Sequence, residues 1–193
     1  RIALFEELCR EQGCWGRPKA FASDYGRHAF LTKDGYSPDH APYDPCQFEV
    51  YMMAGLPGAG KDTYIRRHFD LPVLSLDDLR RAHRIDPSDK KGNGQMVQLG
   101  MEQARVWLRA KQPFVYNATN LTADMRGKWG GLFLEYGARL RIVYVEVPYA
   151  QLLRQNRQRE HVVPEAVLGR LLGKLEPPGY REAHSLAWQV REG

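Results

Sequence analysis

The most specific chemistry in the chain lies in Gly55-Leu56-Pro57-Gly58-Ala59-Gly60-Lys61, which fits the pattern G-x-x-x-x-G-K. Glycines at these places let the backbone turn tightly and aim its N–H groups inward, where they can donate to phosphate oxygens. A helix starting at the lysine adds the positive end of its dipole. Lys61 brings a point charge to the β- and γ-phosphates of ATP or another nucleoside triphosphate. The expected nucleotide contacts are Gly55, Pro57, Gly58, Ala59, Gly60, Lys61, Asp62 and Thr63.

One position departs from the pattern. The hydroxyl residue that usually follows the lysine as a Mg²⁺ ligand is replaced by Asp62, and a threonine comes only at Thr63. A carboxylate is a good hard ligand for Mg²⁺ or Mn²⁺, but it repels the phosphates unless a cation lies between. A second departure balances the first. The apolar run ending Val115-Tyr116-Asn117 carries a neutral amide where such sites usually hold an acidic metal partner. The pair suggests that the carboxylate has crossed the site to Asp62 with the total charge preserved. The plainer alternative is that Asp62 caps the helix start, where acids are favoured, while Thr63 supplies the hydroxyl.

A second candidate group begins at Leu74-Ser75-Leu76-Asp77-Asp78-Leu79-Arg80. An acid at a strand end beside a phosphate loop is placed to accept a proton from an attacking hydroxyl. Arg80, three residues on, falls on the same side of the helix as Asp77 and is placed to hold a phosphate of the acceptor. Alone, D-x-x-R reads equally well as a capped helix with a surface ion pair. A third group, Arg154, Arg157 and Arg159, lies between two helical patterns. Arginines over a transferring phosphoryl group stabilise its spread charge; a solvated helix end is the bland alternative. Arg80, Arg81, His83, Arg84, Lys90 and Lys91 form a basic run beside the acceptor side, and Arg126, Lys128 and Trp129 follow the third apolar run.

These groups need elements to hold them. Residues 2–12 read as an amphipathic helix; residues 13–47 scatter Gly, Pro, Asp and Tyr without a sustained period, and Pro38, Pro42 and Pro45 make their last part an ordered-loop connector. From residue 48 the pattern is α/β. Strands are expected at 48–54, 72–76, 113–116 and 140–147. Helices are expected at 61–68, 95–111, 125–136, 149–157 and 164–175. Short apolar strands alternating with helices predict a parallel sheet flanked by helices, with ligands at the carboxyl ends of its strands. All the candidate chemistry falls at those ends.

Bulk properties bound the rest. At 193 residues the chain can bury one good core but not two ordinary enzyme domains. No stretch approaches the roughly 20 apolar residues that span a bilayer. Cys9, Cys14 and Cys46 lack disulfide or zinc spacing, which makes a reducing cytoplasm the simplest expectation. The net charge of +5 favours an anionic partner, but a nucleotide alone would satisfy it. The start at Arg1 rather than Met reads as a piece of something longer.

The phosphate loop, Asp77-Asp78-Leu79-Arg80, Thr119-Asn120-Leu121 and the stretch from Val147-Pro148 to Pro164 resemble the kinase domain of 5′-hydroxyl polynucleotide kinases over residues 48–175. The resemblance implies a P-loop kinase domain at 48–193 with an arginine-rich lid, preceded by an extension at 1–47. It implies transfer of the γ-phosphate to 5′-OH RNA or DNA ends in nucleic-acid repair. Asp77 is then the general base and Arg80 the contact to the phosphate beside the 5′-hydroxyl. Arg159 becomes the lid arginine with Arg157 as its understudy, and Asn120 and Arg126 fall on the acceptor side. The branch it resembles most carries an HD-type phosphoesterase domain ahead of the kinase. Two alternatives stay open: a small-molecule kinase for a sugar, nucleoside or antibiotic hydroxyl, and an ATPase module with no acceptor.

Overall fold

A computed structural model describes residues 1–86 and 89–191. The chain falls into two compact units, Arg1–Asp44 and Pro45–Gly193. The first holds α1 (Ile2–Glu11) and α2 (Asp24–Thr32). Sequence reading places no helix in 13–47, so α2 is a correction. Ser23 starts it, its hydroxyl accepting from the Gly26 N–H at 2.9 Å, and Tyr25 and Ala29 bury one side. One short helix with Gly26 inside it leaves too few turns for its period to stand out.

The second unit runs β1 (Phe48–Ala54), α3 (Lys61–His68), β2 (Val73–Ser75), α4 (Leu76–Ala82) and α5 (Lys90–Arg109). It continues with β3 (Phe114–Asn117), α6 (Ala123–Glu135), β4 (Ala138–Glu146), α7 (Tyr149–Arg157), α8 (Glu165–Leu172) and β5 (Ser185–Val190). All strands pair in parallel, in the order β2-β3-β1-β4-β5. This is the expected α/β architecture.

Alternation along the central strands splits the core into two layers. Val50, Met52, Phe114, Tyr116, Leu140 and Ile142 face one side, where they meet Leu108, Trp129 and Phe133. Met53, Val115, Val143 and Val145 face the other and meet Ile65 and Leu152. Burying one such large side chain contributes about 1.5–3 kcal/mol, so both faces hold the sheet flat against its helices. Register then fixes the working edge. Met53 pairs with Asn117, Asn117 with Ser75, and Ala54 with Tyr144. The residues that follow β1, β2 and β3 therefore emerge side by side.

Two further differences matter. Helix α5 begins at Lys90 rather than 95, where the Asp89 carboxylate accepts from the Lys91 and Gly92 N–H groups at 3.0 Å and offsets part of the helix cost of Gly92 and Gly94. Strand β5 was not expected. As an edge strand its alternating Leu186, Trp188 and Val190 are only partly covered. Among the described residues no helix is long and apolar enough to cross a membrane.

Candidate active site

Residues 55–60 leave β1 and pass directly into α3. Gly55 has φ +134°, and a Cβ there would lie 2.2 Å from the Val145 carbonyl oxygen of β4. Only glycine lets the loop run this close to the neighbouring strand. Its N–H donates to the Thr119 carbonyl at 2.9 Å, tying the loop to the end of β3. Gly60, at φ +105°, makes the turn into α3.

Lys61 is buried at the start of α3 and donates through Nζ to the Gly55 and Leu56 carbonyls, each at 2.9 Å. Burial lowers its pKa to about 8; Asp62 pulls it back up and Arg159 pushes it further down. Arg159 therefore lies close enough to feel the loop lysine. Its Nη1 is buried with no hydrogen-bond partner among the described residues. Two cations thus face one cleft.

That cleft has a volume of about 510 Å³ and is lined by residues 57–64, Asp77, Asn117 and Arg159. Asp77 enters from the start of α4, which Ser75 caps by accepting from the Asp78 N–H at 3.1 Å. The Arg80 guanidinium pairs with the Asp77 carboxylate and also donates to Asn93 Oδ1 at 3.3 Å. Burial holds the Arg80 pKa below its ordinary value. The D-x-x-R element is thus an ion pair of which only Asp77 lines the cleft.

Asp62 and Asn117 are in direct contact: Asn117 Nδ2 donates to Asp62 Oδ1 at 2.7 Å. Only the nitrogen end of an amide can face a carboxylate this closely, so Asn117 Oδ1 points away, buried and without a partner among the described residues. The donor set suits Mg²⁺, which takes one or two carboxylates and leaves its remaining positions to phosphates and water. Among the described residues no cluster of three or more His, Cys, Asp or Glu forms a cage, so a cation here would depend on phosphate oxygens for most of its shell.

A family model described as an AAA domain matches residues 50–178. The chain belongs to the AAA domain family. Three solved structures show the same fold at low identity. A chain of the Pnkp1/Rnl/Hen1 RNA repair complex aligns with TM-score 0.60 and 17% identity over 72% of this chain. The alignment covers 46% of that chain, so this AAA domain spans about half its length. Kti12 from Chaetomium thermophilum, solved with ADP-AlF3, gives TM-score 0.56, 15% identity and coverage of 73% and 88%. A sugar kinase from Janibacter gives 0.55, 17%, and coverage of 75% and 86%. The fold is that of P-loop kinases.

Three expected site residues fall elsewhere in this AAA domain. Arg126, expected on the acceptor side, is 2% exposed. It is held by Glu182 at 2.6 Å and donates to the Asn120 and Glu176 carbonyls. Asn120, at φ +46°, donates from Nδ2 to the Met53 carbonyl at 2.7 Å and is equally buried. Asn120 thus ties the segment after β3 to β1, and Arg126 ties it to residues 176 and 182. Arg157 pairs with Glu165 at 2.9 Å on the outside and does not line the cleft. The neighbouring basic run is also partly spent, since Arg81 pairs with Asp78; the Lys90 side chain lies outside the described atoms. Trp129 stacks on Tyr116 at 4.3 Å inside the core.

Removing a partner from a buried ion pair costs about 3–5 kcal/mol. Arg126→Ala should therefore lower stability by about 3 kcal/mol in urea titration, a loss no acceptor-facing arginine would show.

Sequence reading passed over Gln155 and Gln158 of the lid and Gln189 and Arg191 at the end of β5, all of which line the cleft. Isolated glutamines carry no spacing signal. The β5 residues were out of reach once the strand itself was missed.

Proposed function

We propose that this chain is a polynucleotide 5′-hydroxyl kinase, moving the γ-phosphoryl group of ATP or another NTP to the 5′-OH end of RNA or DNA. The observation that carries this reading is Asp77, which opens onto the P-loop cleft while paired with Arg80. In the proposed step the Asp77 carboxylate takes the proton of the 5′-hydroxyl and the freed oxygen attacks the γ-phosphorus. The bond from that phosphorus to the β–γ bridging oxygen breaks, and the nucleoside diphosphate keeps the electron pair. Lys61 and Arg159 stabilise the spread charge. An acceptor phosphate competes for Arg80, which would loosen its hold on Asp77 as the hydroxyl arrives. A bare sugar or nucleoside cannot do this.

Asp62 would hold Mg²⁺, its carboxylate steadied by the Asn117 amide; the ion's contribution would be to neutralise charge on the phosphate oxygens. Asp62→Asn should raise the Mg²⁺ concentration needed for half-maximal turnover by about tenfold or more, since the site would lose its one carboxylate. A Mg²⁺ titration that leaves this midpoint unmoved would return Asp62 to a capping role.

Lys61 adds a pH signature. Phosphate favours the ammonium form, so nucleotide Kd should be flat below pH 8 and rise towards tenfold per pH unit above it. Stability should move the opposite way. The folded pKa lies below the ordinary 10.5, so the unfolded chain binds more protons between about 8 and 10.5 and this group's contribution rises with pH across that window. Calorimetric titrations in buffers of different ionisation enthalpy would report the proton taken up on binding; Lys61→Arg should abolish it.

The deciding test supplies γ-labelled ATP with a 5′-OH oligonucleotide, a nucleoside 3′-phosphate, a free nucleoside or gluconate. Label is expected on the first two. Equal labelling of the nucleoside or sugar would favour a small-molecule kinase. Release of inorganic phosphate alone, insensitive to Asp77→Asn, would leave an ATPase module.

A further inference from the structure

Arg159 sits on a loop between α7 and α8, and a loop must be held if its arginine is to meet a phosphoryl group reproducibly. Asn156, the penultimate residue of α7, is 1% exposed. Its Nδ2 donates to the Val163 carbonyl at 2.7 Å, and its Oδ1 accepts from the Val163 N–H at 3.0 Å. One amide side chain thus satisfies both polar groups of one residue and closes the loop that carries Arg159. The Asn156 carbonyl accepts from the Arg159 N–H at 3.2 Å. On its other side Asn156 meets the phosphate loop: a Cβ on Gly58 would lie 3.6 Å from Asn156 Cβ and 3.7 Å from its Cα and N. The residue therefore lies beside the cradle and cinches the lid at once.

We infer that Asn156 is a positioning residue that sets Arg159 over the phosphate cradle. The inference rests on the reading of Arg159 as the phosphoryl-stabilising arginine. The Asn156 amide binds both backbone polar groups of Val163, so its influence passes through the loop backbone. The unpartnered Nη1 of Arg159 fits this arrangement. A buried guanidinium nitrogen without an acceptor is costly, and a free loop would let it turn out to water, as Arg157 does. The Asn156–Val163 clasp keeps that cost in place for an anion to relieve.

The test measures binding of MgADP with and without aluminium fluoride, a mimic of the transferring phosphoryl group that needs no acceptor, alongside turnover. Asn156→Ala should lose about 10²-fold of the fluoride-dependent tightening, the scale of a small misplacement, while ADP affinity stays within about threefold. Val163→Pro removes the loop-side N–H and also fixes the backbone there, leaving Asn156 itself intact, and should lose most of the same tightening even if Asn156→Ala folds poorly. The double variant Asn156→Ala/Arg159→Ala should be no weaker than Arg159→Ala, because both act through one guanidinium. Multiplying losses, or wild-type tightening in Val163→Pro, would overturn the inference. If Arg159→Ala alone keeps full tightening, the lid reading fails and the inference with it.

Discussion

Arg159→Ala should slow phosphoryl transfer by about 10³-fold or more, the scale seen when an arginine that stabilises a transferring phosphoryl group is removed. The loss should appear in turnover rather than in nucleotide affinity, which Lys61 and the backbone of the cradle supply. Geometry gives the reason. Arg159 Nη1 is buried and unpaired among the described residues, so its hydrogen-bonding capacity is held for an anion in the cleft. Arg157, two residues earlier, is already engaged by Glu165 on the surface; exposed pairs of this kind are worth about 0.2–1 kcal/mol, and Arg157→Ala should leave turnover within a few-fold. A second readout ties Arg159 to the site. Its charge helps lower the Lys61 pKa, so in Arg159→Ala the break in nucleotide affinity should move above pH 8. Single-turnover kinetics and a pH series of nucleotide titrations check both halves. A pure loss of affinity would make Arg159 a binding residue instead.

The choice between Arg157 and Arg159 also marks how far sequence reaches. The cradle was legible because Gly60 and Lys61 answer local demands, a left-handed turn and a helix start, and Gly55 completes their spacing; its close approach to Val145 on a neighbouring strand comes only with the fold. The β1 and α3 boundaries follow from the same local signals. Asp77 and Arg80 were legible because helix spacing alone puts them on one side. The partners of Arg126 and Asn120 were not legible, since nothing local says that Glu182 and Met53 will be waiting for them; they lie 56 and 67 residues away. The same holds for β5, whose half-covered edge position blurs its alternation, and for Asn156, whose clasp on Val163 depends on how the loop closes. The Asp62–Asn117 contact is an intermediate case. Their residue types suggested a shared task, and the parallel pairing of β1 with β3 brings them to 2.7 Å.

Asp77→Asn should cut transfer to a 5′-hydroxyl by about 10²- to 10⁴-fold, the usual worth of a positioned general base, with nucleotide binding unchanged. The substitution keeps the shape of the side chain and removes only its capacity to take a proton. The competing view treats Asp77 as a surface partner of Arg80, its side chain 60% exposed. On that view the change touches one exposed ion pair, worth at most about 1 kcal/mol, and turnover falls by no more than a few-fold. The gap between these outcomes is wide enough for one rate measurement to choose. Arg80 sharpens the choice, because it touches Asp77 but does not line the cleft. If it holds the acceptor phosphate, Arg80→Ala should raise KM for a 5′-OH oligonucleotide and for a nucleoside 3′-phosphate, and leave weak activity on a free nucleoside unchanged. If it merely steadies Asp77, all three acceptors should suffer alike. A loss confined to phosphate-bearing acceptors, together with a collapse of all transfer in Asp77→Asn, is the pattern that the proposed polynucleotide kinase predicts and that neither a sugar or nucleoside kinase nor an ATPase module does.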